Sequence, residues 1–293
     1  RQTWGAPQVA PGMREVEQSA GSTPPLLVVE SRGDHLPRAR WRRCYSGSPV
    51  REDLAMGEGF SSLSEAWERH AADWARWTRV PGHDVYHEQL NWPAFRELVP
   101  QPGKRTLDLG CGEGRVGRVL HADGHRMVGI DSSPTLLRLA REAGGYDELV
   151  RGDAAALPWA ARTFDLAIAY MSLQDVDDLW AAVAELARVL EAGGRLCVAI
   201  VHPLNRSPAA LDDYFEEQRV VDEFERDGLR MTFESIDRPL EAYSRALAGA
   251  GFLTEELREP RPTAAVLASE PRLSKADKRP YFLHMRCVLA GGD

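Results

Sequence analysis

Thr106-Leu107-Asp108-Leu109-Gly110-Cys111-Gly112-Glu113-Gly114-Arg115 reads as an apolar strand that ends in Asp-x-Gly-x-Gly-x-Gly and passes straight into a helix, Arg115 to Ala122. Glycines at alternate positions strip side chains from one loop, so a ligand can lie against bare backbone at a helix N-terminus. Asp108 at the strand end would repel a pyrophosphate and suits a ligand carrying an ammonium or sulfonium charge. A second register exists, because Gly112, Gly114 and Gly117 also satisfy G-x-G-x-x-G, the dinucleotide pattern. In that register the first glycine falls further past the strand than a tight turn requires, and Asp108 has no role.

The chain downstream favours a cofactor site. Met127-Val-Gly-Ile-Asp131 is a second short buried strand ending in an acid, 21 residues beyond Gly110. A carboxylate at such a strand tip can accept both hydroxyls of a ribose. Ser132-Ser133-Pro134 then opens a helix with a capping serine and a proline in the first turn. Leu149 to Ala154 ends a third strand at Asp153, Phe164 to Tyr170 is a fourth, and Arg195 to His202 a fifth. Between the last two, Val176, Leu179, Trp180, Val183, Leu186, Ala187 and Leu190 recur at helical spacing as a buried stripe, with Ala192-Gly193-Gly194 as its stop.

Leu107-Asp-Leu-Gly-Cys-Gly-Glu-Gly114, Gly129-Ile-Asp131, Gly152-Asp153-Ala154, Phe164-Asp165 and Leu186-Ala-Arg-Val-Leu-Glu-Ala-Gly-Gly194 together resemble the successive motifs of class I S-adenosylmethionine-dependent methyltransferases. The nearest flavour is the small-molecule group that includes ubiquinone and menaquinone methyltransferases. The resemblance covers about residues 57 to 290. It implies an α/β, Rossmann-like seven-stranded sheet of order 3-2-1-4-5-7-6, with strand seven antiparallel. It also implies that Gly110, Gly112 and Gly114 face the methionyl part of S-adenosylmethionine, with Asp108 near its amino group. Asp131, with Ser132 beside it, would hold the ribose. Asp153 and Ala154 would meet the adenine, and Tyr170 would line the pocket next to the transferred methyl.

Composition bounds the rest. A chain of 293 residues with 43% hydrophobic content can bury a full α/β core and leave an extension over. A net charge of −8 offers no overall attraction to nucleic acid, and no apolar run approaches the length of a membrane-spanning helix. Cys44, Cys111, Cys197 and Cys287 are dispersed without metal spacing and read as free thiols in a cytoplasmic protein. Residues 1–55 carry net charge +2, against −10 for the remainder, with four prolines before residue 26 and the basic cluster Arg38 to Arg43. They read as a disordered leader, with the methyltransferase domain over 56–293. The expected partner is a small-molecule methyl acceptor, with no nucleic acid and no membrane, and the expected state is a monomer or homodimer.

Two segments are left to form the substrate side. The resemblance implies that helices before the first strand fold over the cofactor, so helices over 60–98 would make a lid. In it Trp67, Trp74 and Trp77 read as core anchors, Tyr86 is the best cofactor contact, and His83 and His87 share one solvated face. Residues 204–237 form an insertion after strand five. Alternating Val221, Glu223 and Glu225, the turn Asp227-Gly228, then Leu229, Met231 and Phe233 predict a hairpin, either a lid over the sheet or a dimer edge. His202, at the end of strand five, is the candidate general base, with turn-shaping before Pro203 as the alternative. Tyr170, Asp175 and His87 are weaker candidates. The expected reaction is methyl transfer to a small molecule. An NAD-dependent oxidoreductase, or a non-catalytic cofactor-binding module of the same fold, are the alternatives.

Overall fold

The computed structural model describes residues 50–54, 62–206 and 213–291, all within one compact unit. Cys44 and most of the proposed leader lie outside the described residues. Strand β1 (Val50–Leu54) falls within the stretch assigned to that leader, and it pairs antiparallel with a later strand. Helix α1 (Leu63–Arg79) begins at a capping box in which Ser62 and Glu65 satisfy each other's backbone amides. A short π-turn (His87–Asn91) then runs into α2 (Trp92–Arg96), where a single helix is expected over 84–98.

The core alternates strand and helix: β2 (Thr106–Leu109), α3 (Arg115–Ala122), β3 (Met127–Asp131), α4 (Pro134–Ala143), β4 (Glu148–Arg151), β5 (Phe164–Tyr170), α5 (Leu179–Val189) and β6 (Leu190–Val201). After the hairpin β7 (Gln218–Arg226) and β8 (Leu229–Asp237) come α6 (Leu240–Gly249), β9 (Phe252–Arg258), α7 (Ala264–Ser269), α8 (Ser274–Lys278) and β10 (Phe282–Leu289). The large sheet has the order β4-β3-β2-β5-β6-β10-β9. Counted along that sheet alone, this is 3-2-1-4-5-7-6, as the resemblance implies. The last strand, β10, runs antiparallel to both β6 and β9. Strands β2, β5 and β6 are buried on both faces, which is why they read as unbroken apolar runs.

Two details depart from the sequence reading. Helix α5 stops at Val189 and β6 starts at Leu190, so Gly193 (φ +76°) bends the start of a strand instead of capping a helix. Trp180, expected in the buried stripe, is 48% exposed.

The hairpin forms as expected. Asp227 (φ +51°) and Gly228 (φ +74°) make a two-residue turn with both central residues left-handed, between the paired Arg226 and Leu229. It is the core of a second, three-stranded sheet of order β1-β7-β8. Phe233 on β8 meets Trp67 and Trp74 edge-on, at 6.2 and 5.3 Å, so α1 packs on this small sheet. Sheet and helix form a cap beside the tips of the parallel strands.

Candidate active site

The loop from Gly110 to Gly114 is held by its own backbone. Gly110 and Cys111 donate to the Ile130 carbonyl (2.8 and 3.0 Å), Gly112 donates to Asp131 Oδ2 (2.8 Å), and Gly114 donates to the Cys111 carbonyl (3.0 Å). Those amides are committed, so the loop offers a ligand room more than donors. Gly110, Gly112 and Gly114 all have positive φ (+69°, +58° and +88°). A Cβ on Gly110 would stand 2.6 Å from the Ser172 Cβ, so only glycine fits there. Gly117 and Gly129 serve a different purpose. They clear space for the Tyr146 ring, which a Cβ would meet at 2.0 and 2.9 Å. Tyr146 Oη in turn donates to Asp108 Oδ2 at 2.7 Å. Two glycines inside regular elements were the sequence signal for this close approach, although the tyrosine itself was missed.

The carboxyl ends of β2 to β5 open into a cavity of about 580 Å³, a size suited to a cofactor and a small partner. Of the residues expected to hold a cofactor, Asp108, Gly110, Gly112, Asp131, Ser132, Asp153, Ala154 and Tyr170 line it. Gly114 lies just behind as the residue before α3. Burial pushes the Asp108 carboxyl up to about 7, against the lowering bond from Tyr146, and the neighbouring Asp131 adds to the rise. Burial raises Asp131 as well, although amides of Gly112 and Ser133 bond its two oxygens. The wall is mostly acidic, with Asp153, Asp175, Asp177 and Asp178 joining those two, while Arg115 and Arg151 are its cations.

The cap supplies the opposite wall, and here the sequence reading misses most of the residues. Trp67 and Trp74 line the cavity as well as packing on Phe233. Glu68 reaches from α1 to the start of α4, where it accepts from the hydroxyls of Ser133 and Thr135 (2.7 Å for the latter). Those bonds outweigh its burial and leave its carboxyl below the usual range. Asp177 accepts from the Leu63 amide at the start of α1 (3.2 Å). Arg115 bonds Asp84 Oδ2 at 2.7 Å and stacks over Trp74 at 4.8 Å. Arg238, 2% exposed at the end of β8, donates to the carbonyls of Leu173, Val176 and Asp177 and to Glu217. No short-range pattern announces contacts of this kind.

Three expectations are corrected. His202 is buried outside the cavity wall, where its Nδ1 accepts from the Leu204 amide (3.1 Å) and its Nε2 meets Glu259 at 2.9 Å. Burial lowers its pKa against the pull of Glu259. With both ring nitrogens engaged it shapes the turn before Pro203, the alternative weighed for it. Tyr86 also stands off the wall: it stacks on Tyr281 at 4.1 Å and donates to the Arg272 carbonyl, in a satellite apolar cluster. His83 and His87 do not share a solvated face. His83 is buried against Asp227 at the hairpin turn (3.1 Å), whereas His87 Nδ1 meets Tyr170 Oη at 2.9 Å. Burial and then Arg115 bring the His87 imidazole down to about 3, with Asp84 opposing.

A sheet of this order, with an acid-ended glycine loop and a second acid at the next strand tip, defines a class I S-adenosylmethionine-dependent methyltransferase. Residues 107–198 match the Methyltransferase domain family, and the chain is similar to methyltransferases in sequence and in fold. It is 31% identical to a malonyl-[acyl-carrier protein] O-methyltransferase of Enterobacter lignolyticus, over 57% of this chain and 66% of that protein. It is 38% identical to a demethylmenaquinone methyltransferase of Corynebacterium kroppenstedtii, over 35% and 44%. The crystal structure of an S-adenosylmethionine-dependent methyltransferase from Mesorhizobium loti superposes with a TM-score of 0.56 at 27% identity, covering 68% of this chain and 97% of that one. The chain thus spans 66% and 44% of the length of these two curated relatives.

The site fits the cofactor of this class. A cationic sulfonium and ammonium suit the acidic wall, the glycine cradle leaves room at the methionyl end, and the buried Ser172 Oγ and Trp67 Nε1 on the wall have no partner among the described residues.

Proposed function

We propose that the chain transfers a methyl group from S-adenosylmethionine to a small-molecule acceptor, releasing S-adenosylhomocysteine. The observation that carries this reading is the convergence of Asp108, the glycine loop and Asp131 on one cavity. In it Asp108 faces the cofactor's ammonium, Gly110, Gly112 and Gly114 leave space for its methionyl chain, and Asp131 with Ser132 receives the ribose hydroxyls. Asp153 and Ala154 border the adenine. Arg115, the first residue of α3, is the cation suited to the cofactor's one carboxylate, and a helix N-terminus adds to that preference. When bound, the cofactor supplies an electrophilic methyl. The chain's own task is to aim the acceptor in line with it, and Tyr170, fixed by His87, forms that part of the wall. The cap excludes water through Trp67 and Trp74.

Similarity to a malonyl-[acyl-carrier protein] O-methyltransferase and a demethylmenaquinone methyltransferase supports an acceptor that is a small molecule or a carrier-bound acyl group, and the net charge of −8 supports neither nucleic acid nor an anionic membrane surface as partner. No helix among the described residues is long and apolar enough to cross a membrane. We keep a cytoplasmic monomer or homodimer as part of the same proposal, with the domain start moved back from residue 56 to include β1 (Val50–Leu54). Titration calorimetry tests it. S-adenosylhomocysteine should bind and NADH should not, and Asp131→Ala should weaken S-adenosylhomocysteine by roughly 0.5–1.5 kcal/mol for each ribose bond lost. Binding of NADH alone would instead favour an oxidoreductase.

A further inference from the structure

Asp175 stands in the one-turn 3-10 helix Leu173–Asp175 that follows β5, and it lines the cavity. Its wall neighbours are committed elsewhere. Asp108 takes the Tyr146 hydroxyl, Asp131 the loop amides, Asp177 the Leu63 amide, Asp178 the Ala181 amide and Asp153 the Ala155 amide. No hydrogen bond among the described residues engages the Asp175 carboxylate. Arg238 acts on it through space, while its N–H groups go to Glu217 and the carbonyls of this turn and the residues after it. Beside it, Ser172 is 7% exposed, lines the same cavity, and its Oγ has no partner. The remaining wall toward the cap is aromatic, with Trp67, Trp74 and Tyr170.

A carboxylate on the cavity wall that no donor of the described residues engages is open to a donor from whatever ligand fills the cavity. The cofactor's ammonium and ribose already have acids assigned to them, and its adenine lies toward Asp153. The unassigned donor therefore belongs to the acceptor. We propose that Asp175 binds the acceptor's nucleophilic group and takes its proton, so that the acceptor is a small aromatic-bodied molecule presenting an N–H or O–H group and not an already ionised carboxylate. This rests on the methyltransferase reading above.

The step balances. The nucleophile's lone pair forms the new bond to the methyl carbon as the sulfur–methyl bond breaks and its electron pair stays on a neutral thioether. The proton of the nucleophile passes to the Asp175 carboxylate and from there to water. Burial raises this carboxyl well above the usual range, with Arg238 opposing and Asp131 assisting, which makes it a stronger proton acceptor than an exposed aspartate.

Three probes sharing one ring and differing in head group test this: benzylamine, benzyl alcohol and benzoate. Each is titrated by calorimetry and tryptophan fluorescence into protein saturated with S-adenosylhomocysteine. Benzylamine or benzyl alcohol should bind at least about tenfold more tightly than benzoate, and comparison of those two says whether nitrogen or oxygen is the preferred acceptor atom. Asp175→Asn should remove most of that preference while S-adenosylhomocysteine affinity stays within about threefold. Tighter binding of benzoate, an unchanged preference in Asp175→Asn, or no binding by any probe would each overturn the assignment. If S-adenosylhomocysteine itself fails to bind, the methyltransferase reading fails first, and the two failures are told apart by that initial titration.

Discussion

The floor of the cavity comes from residues close in sequence, in the loop from Asp108 to Arg115 and at Asp131 and Ser132. Its roof joins residues more than a hundred positions apart, Leu63 to Asp177 and Trp67 to Phe233. The floor is fixed by backbone: three left-handed glycines and amides that bond the next strand. The roof is fixed by a cluster of edge-on aromatic rings and a few polar pins, among them Glu68, Asp177 and the buried Arg238. Damage to the floor should therefore stay local and show in cofactor affinity. Damage to the roof should spread, because each pin connects elements that share no other covalent neighbourhood.

The largest effect is expected from Arg238→Ala. Its guanidinium is almost fully buried and satisfies three carbonyls of the turn after β5. Losing it leaves those carbonyls and Glu217 without their donor, a change worth on the order of 3–5 kcal/mol. Thermal unfolding should show a clearly lowered Tm, with Arg238→Lys recovering only part of it because lysine cannot reach several acceptors in a fork. A Tm within about a degree of the parent chain would show that the cap and the sheet are not joined through this residue.

The floor responds differently to Gly110→Ala. The position has φ +69°, and the added Cβ would lie 2.6 Å from Ser172 Cβ. Left-handed strain costs about 1–3 kcal/mol, and the displaced loop would carry Asp108 and Asp131 out of register. S-adenosylhomocysteine affinity should fall roughly 10- to 100-fold with a smaller change in Tm than Arg238→Ala gives. The reverse ranking, a large fall in Tm with affinity retained, would contradict the division between floor and roof.

This division also explains what the sequence made legible. The ends of β2, β3 and β5, the helix α3 and the Asp227-Gly228 turn follow from patterns within about ten residues of one another, and each is read from period, turn chemistry and capping, whereas the sheet order is what the family resemblance implies. That Asp131 and Tyr170 stand at strand ends on the cavity wall is legible for the same reason. The roof was not. That Trp67 faces the cavity depends on a strand 166 residues later (67 to 233), and nothing near Arg238 shows that it ends on Leu173, Val176 and Asp177. His202 was chosen because the end of a parallel strand often faces a ligand. What placed it elsewhere was Glu259 beyond β9 and the Leu204 amide.

A smaller effect is a pH dependence carried by the floor alone. Burial holds Asp108 protonated up to about 7, whereas a ligand's ammonium favours its ionised form. Below about pH 7 the free protein must release this proton to bind, so affinity for S-adenosylhomocysteine should rise with pH and level off above about 7, by at most about tenfold per unit. The same shift has the opposite sign for folding. An acid whose pKa is raised on folding binds more protons native than unfolded, so its contribution to stability declines as pH rises from about 4 to about 7. Calorimetric titrations between these limits, repeated with Asp108→Asn, isolate it. A pH-independent affinity in the parent chain would remove Asp108 from the ammonium site.

The smallest effect is expected from His202→Ala, and it separates two roles that the sequence alone left open. A general base at this position would make turnover fall by on the order of 10²–10⁴ on its removal. The geometry allows no such role, because Nδ1 is occupied by the Leu204 amide, Nε2 by Glu259, and the ring is 4% exposed behind the cavity wall. Deleting it should cost about 1 kcal/mol for the lost turn bond and leave S-adenosylhomocysteine affinity within about threefold. It should also leave the head-group preference among benzylamine, benzyl alcohol and benzoate as it is in the parent chain. Asp175→Asn should remove most of that preference, so the pair of variants measured side by side decides which end of the wall meets the acceptor. If His202→Ala alone erases the preference, the acceptor reaches the end of β6, the ring must leave Glu259 to meet it, and the roof is more mobile than its pins suggest.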